Sequence, residues 1–313
     1  MNNNNASDRE GIPMNLSFFN DGTSPPTSRV PALSLLSDLG TDKGKLLLEE
    51  ISGKVIENIQ KSTISSRLKN MNLSGDPQGG SLEAHRFVNA KSSEYGTARG
   101  KGKGELVKAR PVVVQINRDR EIVEEIEQKD ILLFSVNGLL QRRSVNHEKT
   151  LIRELERAFF QEAADNSAEL VTDKSAIEEV IEAMIQKIET TKNEFVDGVD
   201  RDMMNIICNP DFYGQMRNYL DRGTNNAHIS TSAESINTFH GVRIESSVYI
   251  PATVKAQIMV DGSVAMPVIP RPYTAEKIPL SEAWAVQMFF YYGVKAVTPD
   301  LMAKISIDPS RKK

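Results

Sequence analysis

The 313-residue chain is long enough to bury a sizeable core, in one large domain or two smaller ones. Its formal net charge of −4 is too small for the molecule as a whole to attract nucleic acid. Its single cysteine, Cys208, excludes an intrachain disulfide framework, and no apolar run is long enough to span a bilayer. The polar N-terminus lacks the basic and apolar regions of a signal peptide. These features favour a soluble cytosolic product.

The first part of the chain is predicted to be an arm followed by a helix. Residues 1–31 are polar and contain several prolines, so we expect an arm that is mobile or lies on a neighbouring subunit. Residues 42–71 show a helical pattern with one apolar face: Leu48, Ile51, Val55, Ile56 and Ile59. The repeat is too short for a coiled coil, so we expect this helix to pack on the body of the protein. Residues 74–81 (SGDPQGGS) are a predicted turn or linker.

A basic two-stranded β-ribbon is predicted next. Strand-forming stretches at residues 85–98 and 106–116 flank the sequence GKGKG, which is typical of a turn. Between Arg86 and Arg110 there are seven basic residues and two glutamates, which leaves a local charge of +5. A ribbon with this charge and few apolar pairs is marginally stable alone. We therefore expect it to lie on a partner surface.

The longest predicted helix covers residues 146–164, with Ser144 or Asn146 as its N-cap. Apolar residues recur at four-residue spacing along one face: Leu151, Leu155 and Phe159. The charged residues fall mostly on the opposite face, and we interpret Glu154 and Glu156 among them as solvated.

The remainder of the chain mixes helices and strands. Helices are predicted at residues 175–195, 211–220 and 279–292. Strands are predicted at residues 202–208, 242–250 and 293–299. A hairpin is predicted where two apolar stretches, 256–260 and 264–269, flank Asp261-Gly262.

No catalytic or metal-binding pattern emerges from the sequence. The glycine-lysine tip of the ribbon lacks the spacing of a nucleotide-binding loop, and no Ser or Thr follows its lysine. Three aspartates at 197, 200 and 202 lack the glycine and glutamate positions of a calcium loop. The four histidines show no metal-ligand spacing with one another or with Cys208, which we interpret as a small core residue. We therefore expect neither an enzyme nor a cofactor.

From about Arg86 to Ile305, the order of elements resembles that of the major capsid proteins of tailed bacteriophages. Their Hong Kong ninety-seven type fold is shared with herpesvirus capsid floors and bacterial encapsulins. Five segments carry the resemblance: VVVQINRDREIVEEIEQKD, LIRELERAFFQEA, MNIICNPDFYGQMRNYL, HGVRIESSVYIP and FFYYGVKAVTPDLMAKI. They match the family in element order and local texture, and none is a rigid catalytic motif.

The resemblance implies an α+β fold with an N-arm, an extended β-ribbon loop, a long spine helix, and peripheral and axial domains. It assigns residues 1–85 to the N-terminal arm and 86–130 to the extended loop. Residues 131–199 would form the spine helix and peripheral domain, and 200–290 the axial domain with part of the peripheral domain. Residues 291–313 would form a peripheral-domain strand and the C-terminal tail.

The resemblance also implies a structural function. Copies of the chain would self-assemble into pentamers and hexamers of an icosahedral shell that encloses double-stranded DNA. The protein would lie in the virion capsid, and in the host cytoplasm during assembly, with no membrane. Its implied partners are further copies of itself, a portal, the packaged DNA and a separate scaffolding protein, since little chain precedes the loop. Two other functions stay open: an encapsulin-type compartment, and a nucleic-acid-binding protein that uses the basic ribbon.

The charge pattern predicts how copies of the chain contact one another. A basic ribbon and an acidic body are complementary between copies, so we expect the ribbon to dock on the acidic surface of a neighbour. The basic candidates for this contact are Arg99, Lys101, Lys103 and Lys108. The acidic candidates form two groups, Glu121, Glu124, Glu125 and Glu127, and separately Glu178, Glu179 and Glu182.

Overall fold

A computed structural model describes residues 33, 35–90, 92, 94–96, 106–133, 135–222, 229–230 and 235–307. The predicted N-terminal arm before residue 33 and the GKGKG tip of the ribbon lie outside these residues. The described helices are α1 (Asp42–Ser62), α2 (Ile64–Leu68), α3 (Gln128–Leu133), α4 (Val136–Asn166), α5 (Ile177–Glu189) and α6 (Pro210–Arg222).

The described strands begin with β1 (Leu73–Ser74), β2 (Ser81–Phe87), β3 (Ala109–Gln115), β4 (Arg118–Ile126), β5 (Ala168–Glu169) and β6 (Met204–Cys208). They continue with β7 (Ile229–Ser230), β8 (Ser235–Ile236), β9 (Thr238–Phe239), β10 (Val242–Ser246), β11 (Val254–Val260) and β12 (Val264–Ala265). The last are β13 (Val268–Pro270), β14 (Thr274–Lys277), β15 (Trp284–Tyr292), β16 (Lys295–Ala296) and β17 (Met302–Ser306). The predicted α+β class is confirmed.

Helix α4 is the longest described element, and it begins earlier than the sequence indicated. Its N-cap is Ser135, whose Oγ accepts a hydrogen bond of 3.2 Å from the Gly138 N–H. The two predicted caps, Ser144 and Asn146, lie inside the helix, so that prediction was wrong. In the turns of α4 that precede the predicted start, the apolar face continues with Leu140, which is buried. These turns therefore also pack against the core.

The larger core lies between α4 and a four-stranded sheet. Strand β15 pairs along its whole length with β4 on one edge, and with β14 and β13 in turn on the other edge. Its alternate residues pack against α4 and α1: Val286, Met288, Phe290 and Tyr292. Helix α1 confirms the predicted helix that packs on the body. Only glycine fits at Gly44, because a Cβ atom there would lie 2.3 Å from the Asp38 carbonyl oxygen.

The prediction of a helix at residues 279–292 was wrong, because this segment contains strand β15. Its residues alternate between buried and half-buried positions, as a strand with one face on the core requires. The other face of the strand also carries apolar side chains, such as Phe289 and Tyr291. The sequence therefore shows no alternation of apolar and polar residues. The tertiary pairing with β4 decides the conformation.

A second sheet lies on the opposite side of α4. Its six strands run in the order β5-β17-β11-β6-β10-β9, with β6 parallel to β10 and antiparallel to β11. Helices α5 and α6 cover one face, where Ile185 and Met216 share a core with Cys208. On the other face, Ile207 belongs to the core that contains α4, and Gln257 Nε2 donates to the Phe160 carbonyl of α4 at 3.5 Å. Both faces of β6 are therefore covered, which explains why all five of its residues are buried. The strand predicted at 202–208 begins two residues later, because Asp202 and Met203 are exposed in a 3-10 turn.

The predicted hairpin around Asp261-Gly262 was also wrong. The turn forms, with Gly262 at φ +81 and the Ser263 N–H donating to the Val260 carbonyl at 3.1 Å. However, β11 pairs with β6 and β17, whereas β12 pairs with β16. The turn thus directs the chain from the six-stranded sheet to a separate strand pair.

The antiparallel pairing predicted for the ribbon is present between β2 and β3, although β2 begins at Ser81, within the predicted turn, and also pairs with β1. The two strands pair antiparallel over their full length, from Ser81 opposite Gln115 to Phe87 opposite Ala109. They are shorter than predicted, and the described residues next to them, 88–90 and 106–108, are not strand. At the end of β3 the chain passes so close to Gly293 that a Cβ atom there would lie 2.1 Å from the Gln115 carbonyl oxygen.

We expect Phe159→Ala to destabilise the subunit by about 3–5 kcal/mol, because the Phe159 side chain is fully buried and packs edge-on against Phe160. The measurements are the soluble fraction after expression and the midpoint of urea unfolding. Val145→Ala is the control on the same helix, since Val145 is half exposed. Equal yields and midpoints for the two variants would contradict this place for α4 in the core.

Candidate inter-subunit surfaces

The acidic candidates on β4 divide between the two faces of the four-stranded sheet. Successive side chains of a strand point to opposite faces, and Arg120 reaches Glu154 on α4 at 3.0 Å. Even-numbered residues of β4 therefore face α4, and odd-numbered residues face away. Glu124 belongs to the first group, whereas Glu121 and Glu125 belong to the second and are exposed.

Glu124 is engaged within the chain. Its carboxylate accepts hydrogen bonds from the Arg143 guanidinium, one of them at 2.7 Å, and its Oε2 lies 3.1 Å from His147 Nε2. The hydrogen bond from Arg143 holds the pKa of Glu124 below its usual value. His147 Nδ1 lies 2.7 Å from the Tyr273 hydroxyl, and burial raises the pKa of Tyr273. This partly buried network joins α4 to both β4 and the segment before β14.

The outward face of the four-stranded sheet combines carboxylates with aromatic rings. Glu121 lies opposite Phe289 in the strand register, and Asp119 lies opposite Tyr291. Neither Glu121 nor Glu125 forms an ion pair with any residue that the structure describes. We name this surface, formed by the outward residues of β4 and β15, the acidic sheet face. Its carboxylates remain available to a cationic partner.

The three acidic candidates on α5 do not share one role. Glu178 and Glu179 lie in the first turn, where negative charge interacts favourably with the helix dipole. Glu182 accepts a hydrogen bond of 2.7 Å from Arg201 and lies 2.6 Å from His240 Nδ1. The hydrogen bonds from Arg201 and then His240 lower the pKa of Glu182 to about 2. Glu182 therefore ties α5 to the turn between β9 and β10.

The remaining candidates have fewer described contacts. Glu127 lies 2.5 Å from Lys129, and both side chains are more than half exposed, so this pair contributes little to stability. Lys108 is exposed next to β3. The other three basic candidates lie outside the described residues: Arg99, Lys101 and Lys103.

Two basic residues of the ribbon already have partners in the same chain. Arg86 contacts Asp300 at 2.6 Å, and Arg110 contacts Glu194 at 2.8 Å. The positive charge that the ribbon offers to another molecule is therefore concentrated closer to its tip.

Glu156 corrects the interpretation of α4. It is not solvated but buried, with 2% of its surface exposed, and its Oε1 accepts a hydrogen bond of 2.8 Å from the Ser65 N–H in the first turn of α2. Burial raises the pKa of Glu156. The sequence placed it among charged neighbours on α4 and carried no sign that α2 crosses the helix there.

The described residues contain no group of three or more His, Cys, Asp or Glu side chains that could hold a metal ion. In the same residues, no helix combines the length and apolar character needed to cross a membrane. Cys208 is buried in β6, which confirms it as a core residue, and burial raises the pKa of its thiol to about 12.

No protein-family model matches the sequence, and a search of curated proteins finds no match. Solved structures do match the fold. A capsid structure of the cyanophage P-SCSP1u has a TM-score of 0.55 at 11% identity, over 78% of this chain and 88% of that chain. The mature capsid of bacteriophage PhiM1 has a TM-score of 0.50 at 14% identity, over 74% of this chain and 83% of that chain.

A virus-like particle from Pyrococcus furiosus also matches, with a TM-score of 0.51 at 11% identity over 83% of this chain and 98% of that chain. Identities this low show the fold alone. The chain has the fold of phage capsid proteins, and the predicted Hong Kong ninety-seven type fold is confirmed.

We expect Glu182→Gln to lower the melting temperature at neutral pH, because it removes the ionised partner of Arg201 and His240. A depressed carboxyl pKa stabilises the fold above the unfolded value of about 4.3. That stability is lost as the pH falls towards about 2. The difference between variant and wild type should therefore shrink over this window. Glu179→Gln on the exposed side of the same helix is the control. If Glu182→Gln lowered the melting temperature no more than this control does, the stabilising role of Glu182 would be refuted.

Proposed function

We propose that the chain is a major capsid protein, the structural subunit of an icosahedral shell built from pentamers and hexamers around double-stranded DNA. The observation that carries the proposal is the fold match to phage capsid structures over most of both chains. The mechanism is geometric: copies tile, and ribbons and arms interlock them. Many weak contacts spread over a large area give a cooperative shell.

The two sheets support a division into domains. We assign α4 and the four-stranded sheet to the peripheral domain, and the six-stranded sheet with α5 and α6 to the axial domain. The buried face of α5 shares a core with β6, which favours a boundary before α5 instead of at residues 199–200. We assign the ribbon to the extended loop; the predicted arm, residues 1–31, lies outside the described residues.

The proposed function implies a set of partners and a location. Further copies of the chain form the shell, and a separate scaffolding protein, a portal and packaged DNA complete the particle. The protein would lie in the virion capsid, and in the host cytoplasm during assembly. These statements rest on the fold resemblance.

We further propose that the ribbon of one subunit docks on the acidic sheet face of another. Of the first acidic group, Glu124 and Glu127 already have partners within the chain, whereas Glu121 and Glu125 form no ion pair with a residue that the structure describes. Lys108 and the lysines of the tip supply the complementary charge. Glu178 and Glu179 on α5 are the second candidate surface.

We expect the purified protein to form closed shells, which negative-stain electron microscopy would show directly. Nuclease-protected double-stranded DNA in particles from infected cells would support the capsid function. Shells that enclose protein and no DNA would indicate an encapsulin-type compartment. A small oligomer that binds DNA in a salt-sensitive manner, with no shells, would contradict the proposal.

We expect the triple change Lys101→Glu, Lys103→Glu, Lys108→Glu to leave subunits folded but to block shell assembly. Each exposed ion pair is worth only about 0.2–1 kcal/mol, so several must be reversed together. The reverse change Glu121→Lys with Glu125→Lys should also block assembly, and the two changes combined should restore it. The measurement is the protein concentration above which shells form, determined by light scattering for the wild type, each variant and the combined variant.

The matched control combines the triple lysine change with Glu178→Lys and Glu179→Lys. Recovery in this combination alone would move the docking surface to α5. A triple variant that assembles at the wild-type threshold would show that ribbon charge does not matter. Raising the salt concentration should weaken wild-type assembly, because it screens these contacts.

A further inference from the structure

The last strand pairs of β2 and β3 before the tip, Arg86–Arg110 and Phe87–Ala109, which we call the ribbon root, place two positive charges side by side. Arg86 on β2 lies directly opposite Arg110 on β3 in the strand register. Like charges in this position destabilise an antiparallel pair. The ribbon root therefore needs neighbouring groups that stabilise both guanidinium groups.

The loop after α5 supplies these groups. The Phe195 ring lies 4.2 Å from the Arg86 guanidinium carbon and 5.5 Å from that of Arg110, within range for cation–π attraction to both. Glu194 accepts from Arg110 through its side chain at 2.8 Å, and from the Asn89 N–H through its backbone carbonyl at 3.0 Å. The ribbon is thus held by its side chains and its backbone.

Asp300 completes the contact from a second direction. Both of its carboxylate oxygens accept from Arg86, at 2.7 and 2.6 Å, in a paired geometry that is stronger than a single hydrogen bond. Asn193 donates to the same carboxylate at 2.5 Å. The Arg86 side chain is only 15% exposed, so solvent screens this pair less than a surface pair.

The loop itself is held in shape. The Asn193 side-chain oxygen accepts hydrogen bonds from the backbone N–H groups of Phe195 and Val196, at 2.8 and 2.9 Å. The Gly198 N–H donates to the Thr191 carbonyl at 2.9 Å. Phe195 is therefore presented to the ribbon by a closed turn.

We propose that Arg86, Phe195 and Asp300 form a clamp that sets the direction in which the ribbon leaves the subunit. They act as positioning residues, because each is engaged with another group of the same chain and together they orient the strands that lead to the tip. The loop and Asp300 adjoin α5 and β17, so the clamp couples the ribbon to the six-stranded sheet. This inference rests on the proposed function, in which the tip docks on a second copy.

The direction of the ribbon can be measured without shells. Spin labels would be attached at Glu94→Cys beyond the ribbon root and Arg153→Cys on α4, since buried Cys208 resists labelling. Labelled chains diluted in unlabelled protein report only distances within one chain. We expect one narrow distance distribution in the wild-type background, and a broad or shifted one with Asp300→Asn or Phe195→Leu.

The matched control is Asp197→Asn, which breaks an exposed ion pair with Lys192 in the same loop and should leave the distribution unchanged. Arg86→Lys is a second clamp variant that keeps the charge but loses the paired hydrogen bonds, for use if Asp300→Asn fails to fold. The same narrow distribution in every folded clamp variant would overturn the proposal.

Assembly gives the second readout. The clamp variants should raise the threshold concentration for shell formation severalfold over the Asp197→Asn control. A broadened distribution with an unchanged threshold would overturn the positioning role. If the wild-type protein forms no shells, the proposed function fails, while the distance measurement still decides whether the clamp holds the ribbon.

Discussion

The structure depends on the burial of α4 from two sides. One side packs on the inward residues of β15 in the four-stranded sheet. The other lies against the six-stranded sheet, where Gln257 and Lys304 donate to the carbonyls of Phe160 and Ala164. Because one rigid helix contributes to the packing of both sheets, it fixes their relative placement. Polar contacts add direction to this packing: Glu156 accepts from α2, and His147 contacts Tyr273. The proposed capsid function, in which identical copies tile into a shell, would require such a defined internal geometry.

The sequence predicted the elements whose pattern is local. The four-residue spacing in α4, the apolar stripe of α5 and the run in β6 each identify an element without reference to the rest of the chain. Strand β15 and the hairpin predicted around the Asp261-Gly262 turn were misassigned, because distant partners determine both. β15 is a strand because β4 pairs with its whole length. The hairpin does not form because β11, which precedes the turn, pairs with β17 and not with β12.

The candidate surfaces were predicted as clusters, and the fold sorts their members. Residues 121–127 looked like one acidic group, yet the alternation of β4 sends Glu124 to the helix and Glu125 to solvent. That distinction requires knowing that the segment is a strand and which face is covered. The clamp was invisible for a similar reason, since Arg86, Phe195 and Asp300 are far apart in sequence and carry no motif.

The close approach at Gly293 limits which sequences this fold can accept. The Gln115 carbonyl oxygen occupies the space in which any other residue would place its first side-chain carbon. This position touches no candidate surface and contributes no side chain. A scan of all substitutions should nevertheless find it among the least tolerant in the chain, because the ribbon and the end of β15 could no longer meet. A failure to accept substitutions at Gly293 would reflect the close contact between two backbone segments, and it would not indicate a binding role.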